Sequence, residues 1–267
     1  MSKQIQWFPG HMKSAIDMIR NELKQCDIII YVLDARCPKS CLNPKFEEFT
    51  ARKPALFVLN KSDLAKPSDF RGAVRLNSTQ SGTGQKIFNA VNRVLEEKIK
   101  AAGERGINRI IRAVVIGVTN CGKSTLINNL AGKGKTMTGD KPGVTKTKQW
   151  VNTGGNLWIM DTPGTLWPSF DNPQVAKNLA YVGSIKDDIL DIIDLTKSLI
   201  EDINKLDSKA LINRYKANTL EEIAKKRGYI LKGGIIDEER TAKAILTEFR
   251  AGKLGKFNLD ELLCTNN

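Results

Sequence analysis

The chain has one histidine in 267 residues, His11. It also lacks any apolar run near the ~20 residues that a bilayer-spanning helix needs. Its first residues lack the charged-then-apolar layout of a signal peptide. The expectation is a soluble, cytoplasmic protein with no membrane partner. Cysteines are few, odd in number and scattered, at 26, 37, 41, 121 and 264, which argues against a disulfide framework. Cys37 and Cys41 lie four apart, but no second Cys/His pair accompanies them, and a structural zinc site needs four ligands. There is no internal repeat and no low-complexity tract.

What is present in excess is positive charge. The 42 Lys/Arg outnumber the 29 Asp/Glu, for a net charge of +13. The excess is confined to one part of the chain. Residues 1–169 carry 26 basic and 13 acidic side chains, whereas residues 170–267 carry 16 of each. A basic surface of this size suits a polyanion such as nucleic acid.

The pattern of elements divides at about the same place. Met12, Ala15, Ile16, Ile19 and Leu23 recur at helical spacing over 11–25. The runs at 27–34, 54–60 and 73–77 predict strands, followed by a long helix over 83–102 and a glycine-bearing linker. A new strand is predicted at 110–117, a helix at 123–131, an aperiodic loop at 132–148, and a hairpin of 148–152 with 156–161. Alternating strands and helices point to a mostly parallel α/β sheet. Beyond 171 only helices are predicted, at 187–206, 219–228 and 237–255. The expected domains are therefore 1–170, α/β, and 171–267, smaller and all-helical.

"GVTNCGKST" (117–125) lies between a strand and a helix and has the spacing of a P-loop. Backbone N–H groups of Asn120, Cys121, Gly122 and Thr125 would surround phosphate oxygens. Lys123 would neutralise the β/γ-phosphates and Ser124 would ligate Mg²⁺. "DTPG" (161–164) ends a strand about 40 residues later, with Asp161 a candidate Mg²⁺ holder and the Gly164 amide a candidate γ-phosphate contact. "NKSD" (60–63) also ends a strand. On its own it reads as a turn; beside a P-loop it reads as a guanine site. Asp63 can accept from guanine N1–H and the exocyclic amine, Asn60 can bond the purine edge, Lys61 can lie over the ring, and Ser62 completes the segment. In "LNST" (76–79), N–H groups around Asn77 and Ser78 are placed to support the base. Thr145 in "KPGVTKTK" (141–148) occupies the first-switch position and is a further Mg²⁺ candidate.

These motifs are those of a GTPase in rotated order, with the base-reading segments first. With "WFPGHM" at 7–12, "DTPGTLWP" and the helical C-terminal part, the chain resembles the circularly permuted GTPases, and among them the YlqF/RbgA family of ribosome-assembly GTPases. The resemblance covers nearly the whole chain. It implies a circularly permuted P-loop GTPase domain, binding of GTP and GDP with Mg²⁺, slow intrinsic hydrolysis, and stimulation by the large ribosomal subunit precursor and its rRNA. The expectation is a monomer. An asparagine at the Asn120 position accompanies K⁺ in some related GTPases.

Thr165 and Leu166 stand where many GTPases carry a water-orienting glutamine. The resemblance gives that task to the N-terminal histidine, His11, with Trp7 and Phe8 as docking groups. From the residues alone, His11 reads as a first-turn helix residue, with the aromatics covering a core edge; the resemblance is what favours the catalytic role. Two other readings stay open at this point: a nucleotide-controlled switch with a protein target, and an RNA-binding protein that holds GTP without hydrolysing it.

Overall fold

A computed structural model describes residues 11–132, 150–153 and 155–264. The first-switch segment with Thr145, and Trp7 and Phe8, lie outside the described residues.

The first helix, α1 (His11–Glu22), leads to β1 (Ile28–Asp34), all of whose residues are buried. A continuous β-branched and leucine run suits a strand covered on both faces. After α2 (Glu47–Arg52) come β2 (Ala55–Asn60), β3 (Val74–Arg75), α3 (Thr83–Val94) and α4 (Glu96–Gly103). Next are β4 (Ile111–Ile116), α5 (Lys123–Ala131), β5 (Trp150–Asn152) and β6 (Leu157–Asp161). Among the described residues the sheet has six strands in the order β3-β2-β1-β4-β6-β5, with every neighbouring pair parallel except β5–β6. The strand that feeds the P-loop, β4, is thus flanked by β1 and by β6. The expected hairpin is the antiparallel β5–β6 pair. In this arrangement the C-terminal ends of β2, β4 and β6 fall on one edge of the sheet, which is where an open α/β sheet binds ligands.

The rest is helical: α6 (Pro173–Tyr181), α7 (Ile192–Leu206), α8 (Ala210–Tyr215), α9 (Leu220–Arg227) and α10 (Glu238–Arg250). Helix α6 is absent from the sequence reading, although Asn172 caps it by accepting from the Gln174 N–H and Pro173 opens it. The helix expected from 187 starts at Ile192, because the Asp191 carboxylate accepts from the Ile193 and Asp194 N–H groups and sets its N-cap there. The single helix expected over 83–102 is interrupted at Leu95 (φ −107°, ψ 15°), although the Leu95 N–H still reaches the Val91 carbonyl. The third strand is shorter than expected because the chain turns at Asn77, whose side chain accepts from the Thr79 N–H.

The two parts share a buried core. Their junction is also polar: the Asp260 carboxylate accepts from the N–H groups of Lys39 and Ser40 and from the Ser40 hydroxyl. Asn178 donates to Ser40 Oγ and to the Leu259 carbonyl. Such groups are satisfied only in one docking geometry, so they fix the register of the helices on the sheet.

Candidate nucleotide site

Glycines allow the phosphate loop to close. A Cβ on Gly117 would sit 2.3 Å from the Val32 carbonyl oxygen, and one on Gly122 (φ 96°) would sit 2.2 Å from Asn60 Nδ2. Only glycine fits either place. Lys123, buried at the first residue of α5, donates to the carbonyls of Val118 (2.8 Å) and Gly117 (3.2 Å). Ser124 and Thr125 follow it on the exposed side of the helix.

Asn60, 1% exposed, joins the base-reading segment to this loop. Its Nδ2 donates to the Cys121 carbonyl (2.8 Å) and its Oδ1 accepts from the Ser78 N–H (2.9 Å). The amide expected at the purine edge therefore ties NKSD, LNST and the P-loop together, with one donor and one lone pair left. The Ser78 N–H, expected to support the base, is likewise committed to Asn60. Asn77 turns its side chain onto Thr79. Lys61, in the left-handed region (φ 57°), carries its stem toward the loop and donates to the Asn120 carbonyl (2.7 Å). Asp63 is exposed at the start of a 3-10 turn, Ser62–Leu64. Its carboxylate is free to meet the guanine donors.

The Ser124 hydroxyl donates to Asp161 Oδ2 at 3.1 Å. The other carboxylate oxygen, Oδ1, is buried and has no hydrogen-bond partner among the described residues. Burial raises the Asp161 pKa, against the pull of Lys123 and of the Ser124 hydroxyl. A hydroxyl beside an unsatisfied carboxylate oxygen is a hard-oxygen set that fits Mg²⁺. Among the described residues no cluster of His, Cys, Asp and Glu suits another metal. Gly164 lies against the P-loop: a Cβ on it would come within 2.7 Å of Thr119 Cα. Thr165 and Leu166 are both fully buried, and Thr165 Oγ1 has no partner among the described residues. At Asn120, Nδ2 donates to the Gly183 carbonyl, which leaves Oδ1 as the end able to meet a cation. The Cys121 thiol is buried, and burial pushes its pKa up. His11 opens α1.

A family model described as "50S ribosome-binding GTPase" matches residues 112–227. The ribosome biogenesis GTPase A of Bacillus cereus is 40% identical over 96% of this chain and 93% of its own length. The chain belongs to the ribosome biogenesis GTPase A family. The protein of that name from Priestia megaterium is 38% identical over 96% of both chains, and its Thermotoga maritima counterpart is 29% identical. Solved structures described as GDP-bound TM YlqF and GNP-bound YlqF from T. maritima have the same fold, with TM-scores of 0.64 and 0.63 at 23% identity. They cover 91% of this chain and, in turn, 97% and 95% of theirs. The protein is a GTPase, and the site above is its candidate guanine-nucleotide site.

Sequence reasoning passed over Asp34 and Arg36. The Arg36 guanidinium grips Asp34 through Nε (2.9 Å) and Nη2 (2.8 Å), and Lys61 Nζ reaches the same carboxylate at 3.0 Å. Burial alone would raise the Asp34 pKa; the charges of Arg36 and Lys61 hold it below the usual carboxylate range. The available signal was an aspartate ending an otherwise apolar strand, with an arginine two residues on.

Proposed function

We propose that this GTPase acts in maturation of the large ribosomal subunit, binding the precursor particle and its rRNA and hydrolysing GTP faster when bound to it. The observation that carries the reading is Asn60, which joins the guanine-reading segment to a complete phosphate loop in a chain whose relatives are named ribosome biogenesis GTPases. The charge supports an RNA target, since the excess of +13 falls within residues 1–169. The helical part, 171–267, is the ribosome-engaging module in this reading. The protein works as a cytoplasmic monomer, and none of its described helices is long and apolar enough to cross a membrane.

Lys123 and the loop N–H groups bind and orient the phosphates, and Asp63 selects guanine. Ser124, Asp161 and Thr145 would hold Mg²⁺, whose charge would offset that on the β- and γ-phosphates. Asn120 Oδ1 is the candidate K⁺ ligand. Release of the segment beginning at Asp161 reaches the helical part within about ten residues, because Leu166, Trp167 and Phe170 are buried between Gly164 and α6. His11 is the water-orienting residue in this reading. The helix it opens ends shortly before β1 begins.

Single-turnover GTP hydrolysis with and without large-subunit precursors tests this. Wild-type protein should be stimulated by the particle. His11→Ala should keep GTP and particle binding and lose most of the stimulation, roughly 10²–10⁴-fold. Equal rates with and without particles would refute the ribosomal role; full stimulation of His11→Ala would return that residue to a helix start.

A further inference from the structure

Two adjacent residues in the middle of the phosphate loop are held by the helical part of the protein. Asn120 sits in the left-handed region (φ 55°), which is unfavourable for any residue except glycine and tolerated best by Asn and Asp. Such conformations persist where the surroundings over-determine them. Here the Asn120 carbonyl accepts from Lys61 Nζ (2.7 Å), while its Nδ2 donates to the Gly183 carbonyl (2.7 Å). Its neighbour Thr119 makes a reciprocal pair with Ser184: Ser184 Oγ donates to the Thr119 carbonyl (2.9 Å), and Thr119 Oγ1 donates to the Ser184 carbonyl. Thr119 is also the residue that meets Gly164.

The turn that carries these partners is itself fixed. It follows α6, and Gly183 has φ 80° with its open side facing Arg250, whose Nε would lie 3.3 Å from a Cβ. Arg250, in the last turn of α10, donates to the Tyr181 carbonyl (3.0 Å) and the Ala180 carbonyl (2.9 Å). It also pairs with both oxygens of Asp187 at 2.7 and 2.8 Å. The Arg250 carbonyl accepts from Arg36 Nη1 (3.4 Å). Arg36 grips Asp34, and Asp34 pairs with Lys61, which returns to Asn120. The contacts form a closed circuit from the phosphate loop through α6 and α10 to the guanine-reading lysine.

We propose that Ser184, with the Gly183 carbonyl, is a positioning element of the nucleotide site: the docked helical part holds Thr119 and Asn120 in the backbone form that surrounds phosphate. Nucleotide affinity and helical docking are then coupled, and the coupling is reciprocal. This route reaches the phosphate loop itself, and it touches the segment that starts at Asp161 where Gly164 abuts Thr119. The proposal rests on the assignment of residues 117–125 to the phosphates, so its test carries a control for that assignment.

The experiment uses the full chain and a fluorescent GDP analogue, with affinity, dissociation rate and nucleotide-free melting temperature measured for each variant. Ser184→Ala should weaken binding roughly three- to tenfold, the effect of one or two net hydrogen bonds, chiefly through faster dissociation. Its nucleotide-free melting temperature should stay close to wild type. Ser184→Thr keeps the hydroxyl and should restore affinity. Thr119→Val should weaken binding similarly, and the double variant should lose less than the sum of the two, because both act on one reciprocal pair.

Hydrogen exchange on the unaltered chain gives a second measure, in which GDP should slow exchange of backbone amides over 180–187. Wild-type affinity in Ser184→Ala, with binding weakened in Lys123→Ala, overturns the coupling while leaving the phosphate site intact. Wild-type affinity in Lys123→Ala overturns the phosphate assignment and the proposal with it. Should Ser184→Ala fail to fold, hydrogen exchange decides: protection at 180–187 on GDP addition supports the coupling, and unchanged exchange overturns it.

Discussion

Asp63 and Asn60 come from the same four-residue motif and do different work. Asp63 is exposed, so its carboxylate can turn to guanine, whereas Asn60 is buried with an interaction at each end of its amide. Changing Asp63 should therefore alter base choice with little effect on the fold. Asp63→Asn should weaken GTP binding and favour xanthosine triphosphate, whose C2 carbonyl can accept from the new amide. Competition binding between the two nucleotides checks this, and unchanged preference for GTP would remove Asp63 from the base site. Both residues could be found from the motif, but their division of labour could not. It depends on Cys121 and Ser78, far away in the chain, arriving on either side of Asn60. Gly122 shows the same dependence: its need to be glycine comes from the Asn60 amide that stands where a Cβ would go.

Helix α10 owes its boundaries to local chemistry. Asp237 caps it by accepting from the Arg240 N–H, and its buried face of Ala242, Ile245, Leu246 and Phe249 has helical spacing. Its last residue, Arg250, is where the element acquires a function. The hydrogen bonds from Arg250 hold the Asp187 carboxyl below its ordinary value. A carboxylate lowered in this way contributes stability above its unfolded pKa of about 4 and loses it as pH falls through the lowered folded value. Asp34, also lowered, acts in the same direction, while Asp260, raised by burial, acts in the opposite one. Asp187→Asn should therefore lower the melting temperature near pH 7, and the gap to wild type should close as pH falls below about 4. Thermal melts over that range check it, and a gap that does not change with pH would mean the pair is not ionic in origin. The start of α10 is legible in the sequence, but its end is not: the expected helix runs to 255, whereas α10 stops at Arg250 with Ala251 as its C-cap, and its partner Asp187 carries no signal. The sequence pattern makes Asp187 the start of a helix, and only the Asp191 cap and the extended residue Leu190 leave it free to meet Arg250.

Across the molecule, charge and topology act together. The basic excess lies in the part that also holds the nucleotide site, so an RNA partner would be met by the GTPase part as well as by the helices. Binding to large-subunit precursors should fall steeply with salt, with the logarithm of affinity linear in the logarithm of salt concentration. It should also be tighter with a non-hydrolysable GTP analogue than with GDP. Sedimentation at two salt concentrations checks both, and salt-independent binding would point to a protein contact on the particle. Motif order, the strand that each motif ends and the sign of the surface charge follow from residues adjacent in the chain, so composition and spacing were enough to set them. The α/β class and the helical C-terminal part followed likewise, because hydrophobic periodicity is a local property. The pairing of the strands brought three distant loops to one edge of the sheet, and that pairing is a contact between segments tens of residues apart. The junction between the two parts is less legible still. Ser184, Gly183, Arg250, Arg36 and Asp34 carry no motif, and each is an ordinary polar or small residue in its own stretch of chain. Their roles arise because a buried charge or a strained loop residue must find its partner in space, and that partner is chosen by packing, which no local stretch encodes.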